Sequence, residues 1–327
     1  MRPLPYALVL AGLWLGQLGA CGAFNTIRLQ DTDYIRLSDW AAARGFRVAR
    51  TPGARDVIVS NATHRIAVQL DASRALLNGT AVWLSHPVTL AAGEVHLARQ
   101  DALGVLDALL LPRRLPPGKR IRTVCLDPGH GGKQPGHKSG SRLEKDFTLL
   151  LAQETRARLL SAGFRVVMTR RDDTHIELPE RTAIAQRNGA DLFVSLHYNA
   201  AAESGSDAGG IEVYAMTPEG ARSTNVSADI GSLRAWAGND YDPQNVLLAY
   251  QLQRRLLASL AGAEDRGVRR ARFLVLRLAE MPAVLIEGGF MSNPNDARWI
   301  FSVTGRRKTA QAIVDSIVAF KKAVERR

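Results

Sequence analysis

Apolar and polar positions divide this chain into segments of different texture. Tyr6 to Leu18 is a mainly apolar stretch, too short to span a bilayer well. Residues 27–112 alternate between short β-type runs and polar turns. Val57-Ile58-Val59 and Ile66 to Leu70 predict strands, and Asn78-Gly79 between two apolar runs is a tight-turn signal. Two segments echo each other, Tyr34 to Ala41 and Val95 to Ala102, each a short strand leading directly into a helix start. Residues 113–120, Arg-Arg-Leu-Pro-Pro-Gly-Lys-Arg, break the pattern. Pro116 and Pro117 exclude helix and the charges favour a solvated, extended linker. The expectation is an unpaired, protease-sensitive boundary whose removal leaves a working second domain.

From Ile121 strands and helices alternate. Thr123 to Leu126, Arg165 to Thr169, Leu192 to Leu196, Ile211 to Tyr214, Phe273 to Leu276 and Ala283 to Ile286 predict strands. Lys145 to Leu160 predicts a helix stopped by Gly163. A second starts at Pro179 and ends at Gly189. A third follows Asp242-Pro243, with Leu248, Leu252, Leu256 and Leu260 on one face. The last runs from about Thr304 to near the end. This alternation predicts an α/β domain over 121–327, with a mainly parallel central sheet flanked by helices, preceded by a small α/β domain over 24–112.

Composition narrows the function. The net charge is +12 over 327 residues, and 113–120 with 321–327 hold seven of those charges. No basic stripe interleaved with aromatics runs through the chain, so no nucleic-acid partner is expected. Attraction to a polyanionic envelope surface is the more natural use of the charge. Residues 1–23 predict a secretory signal: Arg2, the apolar run, then Gly19-Ala20-Cys21-Gly22-Ala23. Two processing routes are open, cleavage after Ala23 or lipidation of Cys21 in a Leu18-Gly19-Ala20-Cys21 lipobox. The second would anchor the mature chain to a membrane. With two cysteines in all no disulfide framework is possible, and a monomer in the periplasm or cell envelope is expected.

Ligand sites of such sheets lie beyond the carboxyl ends of the strands. His130 follows the first strand in Asp127-Pro128-Gly129-His130-Gly131-Gly132, His197 ends the strand at 192–196, and Glu287 ends the strand at 283–286. Glu144 opens the helix after the glycine loop. Two imidazoles and one carboxylate are a catalytic zinc set with one position left for water. A further carboxylate must then carry the proton. Spacing alone leaves open which glutamate is ligand and which is base.

Leu126 to Gly132, Glu144-Lys145-Asp146, Ser195 to Ala200 and Ile286 to Asn293 together resemble the zinc-dependent N-acetylmuramoyl-L-alanine amidases of the bacterial cell wall, as do Gly163 to Arg170 and Leu178 to Thr182. The resemblance covers nearly all of 121–322. It implies His130, Glu144 and His197 as zinc ligands, Glu287 as the catalytic carboxylate, and peptidoglycan as substrate, cut between the lactyl group of N-acetylmuramic acid and L-alanine of the stem peptide. Residues 27–112 resemble in pattern the small stalk module of copper amine oxidases, read as a spacer or wall-contact domain. One departure is Gln134-Pro135-Gly136-His137, where an Asp-Pro-Gly-Ala-like stretch is usual. His137 is thereby a candidate substitute ligand or proton donor, weighed against a solvated loop histidine. His175, Ser292, Glu154, Glu180, Cys125 and the scattered His64, His86 and His96 are read as structural. The interval from Asn199 to Pro243 offers only a short blocking helix, Ile230 to Ala237, so an open site is expected, with Trp236 as a sugar platform or a loop anchor. The rival readings are a zinc peptidase acting on the same polymer and a wall-binding protein with an inactive site.

Overall fold

The structure is a computed structural model that describes residues 24–201, 207–225 and 234–325. The signal segment and Cys21 lie outside the described residues, as do Ile230 to Leu233. No helix among the described residues is long and apolar enough to cross a membrane.

Residues 24–112 form β1 (Thr26–Leu29), β2 (Thr32–Arg36), α1 (Leu37–Ala42), β3 (Arg47–Ala49), β4 (Asp56–Ser60), β5 (Arg65–Gln69), β6 (Arg74–Leu77), β7 (Thr80–Trp83), β8 (Thr89–Ala91) and β9 (Glu94–Ala98). A continuous helical stretch closes them: α2 (Arg99–Asp101), a π turn (Ala102–Leu106) and α3 (Asp107–Leu110). The sequence echo corresponds to β2–α1 and β9–α2, whose strands pair antiparallel. Asn78 and Gly79, both at positive φ, make the turn from β6 to β7, the conformation a two-residue hairpin demands.

The remainder contains β10 (Thr123–Pro128), β11 (Lys138–Ser139), β12 (Arg142–Leu143), α4 (Glu144–Ser161), β13 (Arg165–Met168), α5 (Leu178–Arg187), β14 (Leu192–Asn199), β15 (Ile211–Met216), α6 (Asp242–Ser259), β16 (Asp265–Ala271), α7 (Leu274–Arg277), β17 (Ala283–Phe290), α8 (Pro294–Ile300) and α9 (Val303–Val324). The order β13-β10-β14-β17 is parallel throughout, and β15 joins β17 antiparallel. β10 is buried along its whole length, as a parallel strand covered on both faces must be. Its residues alternate between two cores. Val124 and Leu126 face the apolar sides of α4, α6 and α9; Cys125 faces α5 and α7 with Phe193 and Tyr214. Leu248, Leu252 and Leu256 bury one stripe of α6, and Leu260 beyond its end is buried too.

One predicted element is corrected. Phe273 to Leu276 is not a strand: Leu274–Arg277 is a helical turn, and the strand is the preceding arginine-rich β16. α8 was not anticipated, although Asn293 caps it by accepting from Asn295 N and Asp296 N.

β16 also joins the two parts of the chain. It pairs in parallel with β7 at Val268 and Val82, so the antiparallel meander β7-β6-β5-β4-β3 continues the central sheet to eleven strands. Asp265 accepts from Ala81 N at 2.7 Å, Trp83 Nε1 donates to Arg266 O at 2.8 Å, and Tyr250 OH donates to Leu77 O at 3.1 Å. One apolar core spans both parts. Residues 113–120 are not unpaired either. Arg114 donates to the carbonyls of Ala323 and Glu325, and Leu115 N to Val324 O. The segment thus satisfies carbonyls that the end of α9 would otherwise leave orphaned.

Candidate metal centre

The site lies at the carboxyl ends of β10, β14 and β17, in a cleft of about 530 Å³. Gly129 leaves β10, and His130 follows at φ 62°, a left-handed conformation uncommon for a residue with a side chain. Two buried arginines hold it there. Arg181 donates to His130 O at 2.8 Å, to Pro128 O at 2.9 Å and to Asp127 Oδ1 at 2.8 Å. Arg170 donates to Gly129 O at 2.8 Å and to Pro128 O at 3.0 Å. Asp127 also accepts from Thr169 Oγ1 and Ser195 Oγ, both at 2.7 Å. A buried ion pair stands only when its remaining hydrogen-bonding capacity is met; here that demand is met by the loop that carries His130.

The structure brings three predicted residues together. His130 Nε2 lies 3.0 Å from Glu144 Oε2, and His197 Nδ1 lies 3.1 Å from Glu144 Oε1. One ligand atom from each of the three falls within 4.8 Å of the others, the only such trio among the described residues. Glu144 is the first residue of α4, where the helix dipole favours an anion. It also accepts from His137 N at 2.9 Å and Tyr198 N at 3.0 Å. Burial opposes its ionisation, but the hydrogen bonds and charges of His130 and His197 outweigh that and hold it well below the usual carboxylate range. Burial also opposes charge on His197, and the bond to Glu144 overcomes it, so this imidazole is raised.

Glu287 stands beside the trio. Register pairs it with His197 across β14 and β17, and with Glu212 across β17 and β15. Burial pushes its pKa up to about 8; His197 opposes the rise, while the charges of Glu144 and Glu212 add to it. Its Oε2 is buried with no protein partner, which suits a carboxyl whose partner is a water or a substrate atom.

The donor set of two imidazoles and a carboxylate is that of a hydrolytic zinc site. One carboxylate faces both rings, so the three donors would meet on one divalent cation. The rest of the cleft divides by polarity, with Gln134, His137 and Asn199 among its polar lining and Leu178, Phe273 and Val275 among its apolar lining. His137 belongs to the lining and not to the trio. His175 pairs with Glu177, Ser292 Oγ accepts from Ala201 N, and Glu154 and Glu180 pair with Arg158 and Arg187. Cys125 is a buried free thiol, and the ring nitrogens of His64, His86 and His96 contact Thr63, Thr32 and the Glu94 carbonyl. The guanidinium groups of Arg234 and Arg277 lie 4.0 and 4.5 Å from the centre of the Trp236 ring, so this indole anchors its loop.

Sequence reasoning passed over Asp127, Arg170, Arg181 and Glu212. The first three stand inside the motifs that carry the family resemblance. Only their burial shows that they serve the His130 loop, and a charged residue in a short motif reads as exposed until its partner is known.

Comparison with known proteins gives one family. Residues 124–319 match the family described as N-acetylmuramoyl-L-alanine amidase. The uncharacterized protein YqiI of Bacillus subtilis is 34% identical over 200 residues, 61% of this chain and 84% of that protein. The N-acetylmuramoyl-L-alanine amidase AmiA of Salmonella typhimurium is 30% identical over 257 residues, 71% of this chain and 87% of that one. Among solved structures, the amidase AmiC2 of Nostoc punctiforme superposes with a TM-score of 0.52 at 32% identity, covering 63% of this chain and 99% of that one.

Proposed function

This chain belongs to the N-acetylmuramoyl-L-alanine amidase family, and on that premise we propose that it is a peptidoglycan hydrolase in which His130, Glu144 and His197 hold zinc and Glu287 carries the proton. The observation behind the reading is the convergence of the trio on one point, with a buried, unpartnered carboxyl oxygen in the neighbouring register position.

Zinc held there supplies Lewis acidity, lowering the pKa of the attacking water and polarising the lactyl carbonyl. The chain's own residues do the rest. Arg170, Arg181 and Asp127 fix the His130 loop, so this ligand is oriented before substrate arrives. Glu144 opens α4 with its carboxylate facing both imidazoles, where it would complete the ligand set. Glu287, as its carboxylate, accepts a proton from water as the new C–O bond forms at the lactyl carbonyl, and burial, which favours the protonated carboxyl, helps it hold that proton. It returns that proton to the nitrogen of L-alanine as the C–N bond breaks. The products are a lactyl carboxylate on the sugar and a free amino group on the peptide. Export through residues 1–23 would deliver the enzyme to this polymer in the periplasm or cell envelope, with lipidated Cys21 as the alternative to a freely soluble mature chain. The enzyme acts as a monomer in this reading.

The test is digestion of purified peptidoglycan with and without chelator, followed by mass analysis. Chelator-sensitive release of peptides beginning at L-alanine supports the reading. Fragments that keep the lactyl–alanine bond would identify a peptidase instead.

A further inference from the structure

We infer that Glu212 is a positioning residue for this reaction: a clamped anion that keeps two neighbouring arginines away from Glu287. The inference rests on the reading of Glu287 as the proton carrier.

Three side chains share one row across the sheet. Register sets His197 of β14 against Glu287 of β17, and Glu287 against Glu212 of β15. Laterally paired residues point to the same face and come within about 5 Å of each other at Cβ. Glu212 therefore flanks Glu287 on one side as His197 does on the other. Like charges in directly opposed positions are destabilising, so this pairing works against the fold unless something offsets it.

The offset is visible. Glu212 is 2% exposed, accepts three hydrogen bonds and forms a further ion pair. Asn199 Nδ2 and Tyr214 OH donate to Oε1 at 2.9 and 2.8 Å. Arg266 Nε and Arg269 Nε approach Oε2 at 3.0 and 2.9 Å. Both oxygens of Glu212 are thus engaged, and the two arginines paired with it are neutralised in place. The contrast with Glu287 in the next strand is sharp. That carboxyl has a buried oxygen with no partner, although two guanidinium groups sit on its row neighbour. Were they unclaimed, the next carboxylate along the row that runs from β16 through Glu212 of β15 to β17 would be Glu287. An ion pair there would draw its carboxyl away from the cleft and weaken it as a base. Glu212 also ties Asn199, two residues beyond His197, to β15 across the irregular end of the β14–β17 register.

The experiment uses the full mature chain loaded with zinc, assayed for amino groups released from a defined muropeptide. E212Q keeps the volume and removes the anion. It is expected to retain its zinc and its KM while kcat falls about tenfold or more. E212Q/R266Q/R269Q, which strands no cation, is expected to recover most of that loss. A merely structural role would instead make the triple variant worse than the single one. Unchanged kcat in folded, zinc-loaded E212Q overturns the inference, as does a triple variant that recovers nothing. Should E212Q fail to fold, E212D carries the comparison: a lower kcat at unchanged KM supports the inference, and an unchanged kcat overturns it. E287Q separates this from the parent reading. If E287Q keeps its turnover, the assignment of Glu287 fails; if E287Q is inactive while E212Q is normal, only the role of Glu212 fails.

Discussion

A methyl group at position 129 should disable the centre without unfolding the protein. Gly129 does not occupy the left-handed region, so alanine is tolerated by the backbone and only space decides. A Cβ there would lie 2.2 Å from Cε1 of His197, 2.5 Å from Nε2 and 2.6 Å from Nδ1. Ordinary contact begins at 3.4 Å, so the ring must retreat by about 1.2 Å or the β10 terminus must shift as far. Metal sites tolerate ligand displacements of only about 0.2 Å. The 3.1 Å contact of His197 with Glu144 would be lost in the same movement. Overpacking of this kind costs about 1–3 kcal/mol, less than a typical domain's stability of about 5–15 kcal/mol. Zinc affinity should fall on the order of a hundredfold, the upper range for disturbing a ligand through its neighbour. The assay is zinc titration against a competing chelator, with muropeptide turnover measured in parallel. G104A is the control. Its methyl would meet nothing within 4 Å, and alanine at this helical position should leave zinc binding and rate unchanged while adding up to about 1 kcal/mol of stability. Wild-type zinc affinity and turnover in G129A would refute the reasoning, because His197 could then not be a ligand fixed where the structure places it.

Other perturbations probe separate parts of the molecule. E287Q should keep zinc and lose turnover by about a hundredfold or more, whereas E144Q should weaken the metal; swapped phenotypes would reverse the two roles. Asp242 is pushed up to about 7, chiefly by burial against the bond from Asn239, from an ordinary value of 3.8. Between those pH values the folded chain keeps a proton that the unfolded chain has released, so this group makes stability fall as pH rises. D242N should therefore raise the denaturation midpoint at pH 8 by the equivalent of about 1–3 kcal/mol and leave it nearly unchanged at pH 4; equal effects at both would exclude this cause. A fragment beginning at Arg120 should be far less stable than the full chain, because it strips β7 from β16 and the Leu77 carbonyl from Tyr250; a soluble, fully active fragment would show that the first 112 residues are dispensable.

Most of the second half was legible because its signals are local. His130 follows a strand, Glu144 opens a helix, and His197 and Glu287 lie towards the carboxyl ends of strands, each in a motif only a few residues long. The leucine stripe of α6 announces itself by period. β16 was hidden because Asp265 to Ala271 carries three arginines and reads as solvated. Those arginines are placed by partners remote in sequence: Arg266 and Arg269 by Glu212, and Arg270 by burial beside Asp242. The pairing of 113–120 is hidden for a related reason. Prolines and charges do favour an extended segment, and 113–120 contains both. Composition cannot show that the end of α9 lies within reach of Arg114 and offers it carbonyl groups. The pairing of β7 with β16 depends on a contact across more than 180 residues, for which neither strand carries a mark.

That pairing determines how the molecule comes apart. Two domains joined by a free tether melt separately, and either can be lost without the other noticing. Here one hydrogen-bonded ladder runs from β13 to β3 and one core lies under both halves, so the chain should unfold in a single cooperative step, with amide exchange in the meander no faster than in the strands of the site. A weak substitution at Val82 or Trp83 would then reach selection as diminished hydrolysis, and residues 24–112 would be maintained for the rigidity they lend to a cleft they do not line.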